Sequence, residues 1–279
     1  MSADTHRPLS ATDAAAVLAA ALAGDPLSPP AGANRLLVTG GSRGIGAATA
    51  RLAACHGWDV AINYVHRRDE AERLADELRA LGRRAITVQA DVADEAQVVA
   101  MFEAVDREFG GLDALVNNAG VVDTNARLDE MGGPRLRRMV EINLLGTLYC
   151  AREAVRRLST RHGGAGGAIV NLSSVAARLG SPGTYVDYAA AKAAVDTLSV
   201  GLAREVAAEG VRVNAVRPGI IDTEIHASGG QPDRVARVAP TLPMQRAGLT
   251  DEVAQAIVWL LSPAASYTSG AVLDVSGAR

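Results

Sequence analysis

The sequence predicts an α/β protein built on a doubly wound, seven-stranded parallel sheet. Two observations carry this prediction: short, nearly continuous apolar runs recur along the chain, and longer stretches with helical periodicity separate them. Parallel strands joined by helical crossovers form such a sheet and bind ligands at the carboxyl ends of the strands. The predicted strands are 36–39, 60–64, 85–89, 114–117, 168–172, 211–216 and 271–275.

Apolar side chains at helical spacing fill the segments between these strands. The clearest examples are 69–81 and 94–109, where each apolar stripe can cover one face of the sheet. Two connections outgrow this pattern, 163–167 and 221–244. We expect the second to be a substrate lid.

Composition and charge exclude several classes of protein. The chain has 279 residues and a net charge of −3, and its basic residues are scattered among acids, so neither nucleic acid nor a membrane surface is an expected partner. No apolar run reaches the length that spans a bilayer. Cys55 and Cys150 lie outside any CxxC or Cys/His cluster, so we expect two buried, reduced thiols, no metal site and a cytoplasmic protein.

An N-terminal extension, 1–33, precedes a single domain at 34–279. The extension is Ala-rich and ends in a linker rich in Pro and Gly without periodicity. Residues 14–23 resemble the apolar part of a signal peptide, but Asp4 and Asp13 oppose that interpretation. We expect a short surface helix or a frayed tail, and an interaction arm is the alternative.

A glycine-rich loop follows the first predicted strand and opens a helix. It reads TGGSRGIG at 39–46. Its glycines allow a sharp turn and close approach to a pyrophosphate, and the N terminus of the following helix supplies N–H donors. This order of strand, loop and helix favours a dinucleotide site over an ordinary glycine-rich turn, and it predicts a single Rossmann fold.

The end of the second predicted strand carries arginines where enzymes that prefer NAD normally carry an acid. The chain reads NYVHRR at 63–68. We expect Arg67, together with Arg43 of the glycine loop, to hold a 2′-phosphate, which predicts NADP(H) as the preferred cofactor. Alternatively, Arg67 and Arg68 decorate a surface helix, and NAD(H) stays possible.

A tyrosine and a lysine lie four residues apart on a predicted helix and therefore share one face. They are Tyr188 and Lys192. A nearby ammonium favours phenolate, so we expect Lys192 to lower the pKa of Tyr188 toward the range useful for general acid–base catalysis. Alone, the pair also fits a half-buried tyrosine capped by lysine. Ser173 and Ser174, at the end of the fifth predicted strand, deliver hydroxyls to the same sheet edge.

Taken in order, these motifs resemble those of the short-chain dehydrogenase/reductase family. The resemblance covers 35–279, and its further pieces are Asp91-Val92, the NNAG of 117–120, Asn143, and Pro218-Gly219 with Thr223. Within the family, the chain is most similar to uncharacterised bacterial oxidoreductases of the sugar-dehydrogenase and oxoacyl-reductase type.

The resemblance implies a cofactor site at the carboxyl edge of the sheet. Asp91 and Val92 would hold the adenine, and Thr223 would bond the nicotinamide amide. The implied cofactor residues are Gly40, Ser42, Arg43, Gly44, Ile45, Gly46, Asn63, Tyr64, His66, Arg67, Asp91, Val92, Asn118, Ala119, Gly120, Tyr188, Lys192, Pro218, Gly219, Ile221 and Thr223.

The resemblance also implies interconversion of a small-molecule carbonyl and a secondary alcohol by hydride transfer, without a metal. Tyr188 would be the general acid/base, Ser174 would polarise the carbonyl, Lys192 would bond the nicotinamide ribose, and Asn143 would hold a proton-relay water. One alternative is an NAD(H)-preferring sugar dehydrogenase. Another is a non-catalytic nucleotide-binding sensor or scaffold, which would have no use for a tuned tyrosine.

The spacing of the serine is unusual for the family. Ser174 precedes Tyr188 by fourteen positions, one more than in many members. We assign Ser174 rather than Ser173 because a loop absorbs an extra residue, whereas a slide along the strand reverses the side chain's face.

The segment after Thr223 resembles the family's variable lid. Its His226, Arg234 and Arg237 could meet a polar or anionic substrate, or be solvated surface residues. The helical stretches at 133–157 and 188–209 correspond to helices that pair across subunits in the family. The resemblance therefore implies a homotetramer, and the alternative is that they pack only on their own sheet.

Overall fold

The computed structural model describes residues 24–279, which contain one seven-stranded sheet in which every strand pair is parallel. The strand order is β3-β2-β1-β4-β5-β6-β7. The strands are β1 (Arg35–Val38), β2 (Asp59–Tyr64), β3 (Ala85–Gln89), β4 (Ala114–Asn117), β5 (Gly167–Leu172), β6 (Val211–Pro218) and β7 (Val272–Val275). All seven predicted strands are confirmed, and their ends shift by no more than two residues.

Helices connect successive strands. They are α1 (Gly44–Cys55), α2 (Arg68–Ala80), α3 (Glu95–Phe109), α4 (Gly133–Val140), α5 (Gly146–Leu158), α6 (Ala176–Leu179), α7 (Val186–Val206), α8 (Ile225–Ser228), α9 (Arg234–Val238) and α10 (Thr250–Leu261). The lid predicted at 221–244 contains α8 and α9. Within the part of the chain that the structure describes, no helix is long and apolar enough to cross a bilayer.

Two apolar cores cover the two faces of the sheet. Successive residues of β1 alternate between them: Leu36 and Val38 pack with α1, α2 and α10, whereas Leu37 packs with α3, α5 and α7. Because both faces are covered, the strands are apolar along their whole length.

The direction of the crossovers reverses at β1, which lies between β2 and β4. In a doubly wound sheet, the strand ends on either side of such a reversal leave a crevice where ligands bind. The carboxyl ends of β1 and β4 therefore locate the site.

One turn of π-helix, Glu141–Leu145, joins α4 to α5. The Gly146 N–H bonds to the carbonyl of Glu141, five residues earlier. Asn143 lies in this turn and is fully buried. At Gly146, a Cβ would lie only 2.7 Å from Cγ2 of Val92. Glycine therefore allows the first turn of α5 to pack against Val92, in the loop that follows β3.

The predicted linker at 24–33 lies against the domain. Leu27 packs against the core of β1 and β2, and the Asp25 carboxylate pairs with the His56 ring. The contact of Leu27 and the ion pair of Asp25 thus hold this segment against the domain, although its Pro and Gly content predicts a linker without such contacts. The surface helix or tail predicted at 1–23 lies outside the described residues.

Both cysteines are free thiols, but the prediction that both are buried is wrong for Cys55. Small side chains such as Ala50, Ala53 and Ala54 turn α1 toward the core, and Cys55, at its end, falls on the solvent side. Cys150 is buried on α5, and burial raises the pKa of its thiol to about 12.

Candidate active site

Glycine shapes the loop between β1 and α1. Gly40 and Gly44 adopt φ angles of 57° and 53°, which side chains disfavour. At Gly46, a Cβ would lie 2.6 Å from both the Asn118 Nδ2 and the Gly40 carbonyl. No side chain caps the N terminus of α1, so its first N–H groups can bind an anion. This cradle fits the pyrophosphate of a dinucleotide.

Two asparagine side chains hold the loop in place. Nδ2 of Asn118 donates to the carbonyls of Thr39 and Gly40, each at 2.9 Å. Oδ1 of Asn63 accepts from the Gly40 N–H at 3.0 Å, and its Nδ2 donates to the Ala90 carbonyl at 2.9 Å. Asn63, predicted to contact the cofactor, is therefore a buried support whose amide bonds the backbone.

A groove of about 450 Å³ follows the carboxyl ends of β1 to β4. The predicted cofactor residues that line it are Gly40, Ser42, Arg43, Gly44, Ile45, Asn63, Tyr64, His66, Arg67, Asp91, Val92, Asn118, Ala119, Gly120 and Thr223. Gly46 lies beneath the loop instead. Arg138 of α4 and Ile142 of the π-helical turn also line the groove. Sequence reasoning missed them because nothing in their spacing marks this segment as part of the site.

The arginines predicted to hold a 2′-phosphate reach one carboxylate. Nη1 of Arg43 lies 3.1 Å, and Nη1 of Arg67 3.5 Å, from Oε2 of Glu224. Arg67 also pairs with Glu70 at 2.7 Å. All four side chains are about one-third or more exposed, so these pairs are weak and a bound anion can compete for the guanidinium groups. Sequence reasoning missed Glu224, although it directly follows Thr223.

A second cavity, of about 360 Å³, adjoins the groove and contains the predicted catalytic hydroxyls. The two spaces share Ile45, Asn118, Val122, Thr223 and Ile225 as lining. The other predicted residues that line the second cavity are Ser174, Tyr188, Lys192, Pro218, Gly219 and Ile221. The ends of β5 and β6, together with α7, thus place these residues beside the glycine loop.

Burial controls the protonation of Tyr188 and Lys192. Tyr188 meets solvent through the cavity but is otherwise enclosed, and burial raises its pKa to about 12, against the opposite effect of the Ser174 hydroxyl. Burial also lowers the pKa of Lys192 to about 8, which Asp196 opposes. Nζ of Lys192 donates to the Leu172 carbonyl at 2.6 Å. The pKa of Tyr188 is therefore raised rather than lowered as predicted, because desolvation of the phenol dominates.

The adjacent serines have different surroundings. Ser173 also borders the cavity, but it is buried and its hydroxyl donates to the Lys192 carbonyl at 3.1 Å. Ser174 lines the cavity next to Tyr188, and its Oγ accepts from the Ala176 N–H at 3.1 Å. Ser174 is thus the serine whose hydroxyl is available to a ligand.

Asn143 lies behind the loop that follows β4. Its Nδ2 donates to the carbonyls of Val121 and Met139, each at 3.1 Å, and its Oδ1 accepts from the Val121 N–H at 3.1 Å. A Cβ on Gly120 would lie 2.9 Å from that Oδ1 and 3.5 Å from Nζ of Lys192. Asn143 therefore lies close to Lys192, while its amide holds the backbone. The predicted relay water stays a prediction.

The lid residues separate into two groups. His226 and Arg234 line the second cavity, whereas Arg237 is exposed and bonds Asp233 and Gln231. For these three residues the sequence allowed either contact with a substrate or exposure to solvent. Two of them line the cavity, and the third is exposed.

Sequence reasoning also missed Tyr185 and Arg279, which line the same cavity. The Tyr185 ring meets Tyr188 edge-on, with ring centroids 6.4 Å apart. Its position three residues before Tyr188 is a signal that could have revealed it. No sequence signal marks Arg279.

Comparisons with known proteins identify the family of the chain. A family model described as Enoyl-(Acyl carrier protein) reductase matches residues 40–277. The uncharacterised oxidoreductase YgfF of Escherichia coli K12 is 55% identical over 243 residues, which are 87% of this chain and 98% of YgfF. A cis-4-hydroxycyclohexanecarboxylate dehydrogenase of Sinomonas cyclohexanicum is 43% identical over 241 residues, which are 86% of this chain and 94% of that enzyme.

A crystal structure of a short-chain dehydrogenase from Burkholderia cenocepacia J2315 in complex with NADP has the same fold. The TM-score is 0.82 at 34% identity, covering 91% of this chain and 98% of that chain. The chain thus belongs to the short-chain dehydrogenase/reductase family of oxidoreductases.

Proposed function

We propose that the protein is an NADP(H)-dependent dehydrogenase/reductase that interconverts a carbonyl and a secondary alcohol, with Tyr188 as general acid/base. One observation carries the proposal: Ser174, Tyr188 and Lys192 line a cavity that is continuous with the glycine-loop groove. A substrate in this cavity would therefore lie beside the end of a dinucleotide in the groove. The nicotinamide, when bound, supplies or accepts the hydride.

The protein's own residues would act on the substrate oxygen. The hydroxyls of Ser174 and Tyr188 both reach the cavity, so both can donate hydrogen bonds to a carbonyl and stabilise the charge that develops on its oxygen. Tyr188 then transfers its proton to that oxygen, which completes the alcohol. In the reverse direction, Tyr188 accepts the proton from the alcohol.

The raised pKa of Tyr188 suits reduction. With a pKa of about 12, the phenol carries its proton at neutral pH and is ready to donate it. Lys192 lies on the same face of α7 and would bond the cofactor ribose, as the family resemblance implies. Its ammonium lies 5.7 Å from the centroid of the Tyr188 ring and would stabilise the phenolate that proton transfer leaves.

The proposed preference for NADP(H) is supported by Arg43 and Arg67 at the adenosine end of the groove. The Burkholderia relative, whose structure contains NADP, supports it too. Glu224 weakens the preference because it occupies both guanidinium groups. NADH binding therefore stays part of the test.

The test combines cofactor binding with turnover. NADPH and NADH are titrated against the purified protein, and oxidation of the cofactor is then followed with cyclic oxo acids, sugars and 3-oxoacyl thioesters. Tyr188→Phe should lower turnover by roughly 10²- to 10⁴-fold and leave NADPH affinity unchanged. Tyr267→Phe, which alters a fully exposed tyrosine, is the control and should retain turnover.

Other outcomes would favour the other candidate functions. Tight NADPH binding without turnover on any carbonyl of the panel favours a nucleotide-binding sensor or scaffold. Tighter binding of NADH, with oxidation of a sugar, favours the NAD(H)-preferring sugar dehydrogenase.

A homotetramer is a further part of the proposal. α4, α5 and α7, which correspond to subunit-pairing helices in the family, present partly exposed faces, and Val140 at the end of α4 is 42% exposed. Light scattering should give about four times the chain mass of 28.8 kDa. A mass near that of one chain would show that these helices pack only on their own sheet.

A further inference from the structure

Building on the proposed function, we propose that the substrate carries a carboxylate in addition to its reacting carbonyl, and that the guanidinium groups of Arg234 and Arg279 bind this carboxylate. Both side chains line the cavity that contains Tyr188.

The charged side chains that line the cavity are all basic. Four basic side chains line it, Lys192, His226, Arg234 and Arg279, whereas no Asp or Glu of the described residues does so. No carboxylate side chain within residues 24–279 pairs with either arginine. A partly buried cation without a counter-ion loses part of its hydration, and an anionic ligand offsets that cost.

Arg234 is oriented but not neutralised. Its Nη1 donates to the hydroxyl of Tyr185 at 2.9 Å and to Oε1 of Gln231 at 3.3 Å, both uncharged groups. Its guanidinium carbon lies 5.0 Å from the centroid of the Tyr185 ring. Its Nε is buried and has no hydrogen-bond partner. The side chain is thus held in place, while no carboxylate side chain of the described residues neutralises its charge and its Nε lacks a partner.

The basic groups lie close enough to influence one another. Burial lowers the pKa of Arg279, and the charge of Arg234 lowers it further. Burial likewise lowers the pKa of His226, again with a contribution from Arg234, while the Ile221 carbonyl and Asp222 oppose it. The main-chain carbonyl of Arg279 is anchored by Nη2 of Arg178 at 3.3 Å. His226 and the two arginines, which line the same cavity, therefore form one basic site.

The position of this site relative to Tyr188 limits the shape of the ligand. Arg234 stacks on Tyr185, and Tyr185 in turn meets Tyr188 edge-on, so one aromatic ring separates the anion site from the catalytic phenol. Val122 and Ile225 line the cavity as well. A ligand with an apolar spacer of several carbons between its carboxylate and its carbonyl fits this arrangement, and planar guanidinium groups match carboxylate geometry.

Ligand binding tests the site without turnover. Full-length protein saturated with NADP⁺ is titrated with cyclohexanecarboxylate and with its neutral isostere cyclohexanecarboxamide in a calorimeter. The carboxylate should bind more tightly. Arg234→Gln and Arg279→Gln should each weaken carboxylate binding by roughly 10- to 100-fold and leave carboxamide binding unchanged.

Arg237→Gln is the matched control because it removes the same charge from the same short helix, three residues away and outside the cavity. It should leave carboxylate affinity unchanged. An equal loss in Arg234→Gln and Arg237→Gln would show a general electrostatic effect and overturn the site. Equal affinity of the wild-type protein for carboxylate and carboxamide would also overturn it. Tighter binding of cyclohexyl phosphate than of carboxylate would replace the proposed carboxylate with a phosphate.

Turnover separates this inference from the proposed function. Reduction of 4-oxocyclohexanecarboxylate is compared with reduction of its methyl ester. The KM of the acid should be lower by roughly 10- to 100-fold, and this difference should be lost in Arg234→Gln. Equal KM values would retain the reductase and overturn the carboxylate site. Arg234-dependent binding of cyclohexanecarboxylate without reduction of either ketone would retain the anion site and overturn the proposed activity.

Discussion

The two halves of the cleft are built differently. The cofactor half is made of backbone turns and buried amides, with Gly46 packed against Asn118 and Asn63 bonded to the loop from below. The substrate half is completed by side chains on the short helices α8 and α9 and on the last residues of the chain, including Arg234 and Arg279. The cofactor half is supported directly by the sheet, whereas the substrate half is completed by segments that lie over the sheet edge.

This difference explains which properties each half can vary. A substitution beneath the glycine loop displaces backbone and affects both folding and nucleotide binding. A substitution of His226 or Arg234 changes a side chain that faces the cavity and leaves the sheet intact. The family's common cofactor chemistry and variable substrates follow from this division.

After Tyr188→Phe, the largest effect is expected where the two halves meet, at the end of β5. Ser174→Ala removes a donor that faces the cavity, and it should lower turnover by roughly 10²- to 10³-fold, measured as kcat with saturating NADPH. Ser173→Ala removes a bond to the Lys192 carbonyl and should retain most of the turnover. Loss of turnover in Ser173→Ala but not in Ser174→Ala would show that the other serine is catalytic.

Gly46→Ala tests the rigidity of the cofactor half. The added Cβ would lie 2.6 Å from the Gly40 carbonyl, and backbone cannot move aside cheaply. We expect a loss of about 1–3 kcal/mol in the free energy of unfolding and weaker NADPH binding, measured by denaturant titration and calorimetry. Gly133→Ala, where a Cβ meets nothing within 4 Å, is the control and should change stability by less than about 0.5 kcal/mol. Equal effects would refute the steric argument.

Lys192 gives stability a specific pH dependence. Its folded-state pKa is about 8, whereas the unfolded amine has its ordinary pKa near 10.4, so unfolding takes up a proton between these values. The stability contribution of Lys192 should therefore rise with pH from 8 to 10, by at most about 1.4 kcal/mol per pH unit. Cys150 acts in the opposite direction because its pKa is raised to about 12.

Subtraction of the Lys192→Met variant isolates this effect, since the variant retains Cys150. The difference in free energy of unfolding, wild type minus variant, should grow as the pH rises from 8 to 10. A difference that stays constant across this range would mean that the folded-state pKa of Lys192 is near its ordinary value.

The smallest effects are expected at the exposed adenosine end of the groove. Arg43→Ser should weaken NADPH binding roughly tenfold and change NADH binding little, because only NADPH carries the 2′-phosphate. Glu224→Gln removes the ion pair of Arg43 and one of the two ion pairs of Arg67, and it should tighten NADPH binding only a few-fold, since exposed ion pairs are weak. Equal changes in NADH and NADPH affinity would place the 2′-phosphate elsewhere.

The sequence predicts the cofactor half well because its determinants are local. A glycine loop must lie between a strand and a helix, and apolar runs indicate strands whose carboxyl ends meet at one edge. The same logic places Ser174 and Tyr188 in one cavity. Each of these statements depends on residues near one another in the chain or on the parallel topology.

The remaining features depend on packing between distant segments. The pKa of Tyr188 rises because several segments enclose the phenol, and a spacing of four residues to Lys192 carries no information about desolvation. The exposure of Cys55 depends on which face α1 turns to the sheet. The contact of Arg234 with Tyr185 joins residues 49 positions apart. No local pattern encodes such an encounter.

The π-helical turn at Glu141–Leu145 has a consequence for how this chain can tolerate insertion and deletion. It accommodates one more residue than a regular α-helical turn, and each residue rotates a helix by about 100°. Deletion of a single residue there would restore a continuous α-helix. It would also either rotate Asn143 away from Val121 or rotate all of α5 about its own axis. Shortening this helix by one residue should therefore be far more damaging than a conservative substitution at any of its exposed positions.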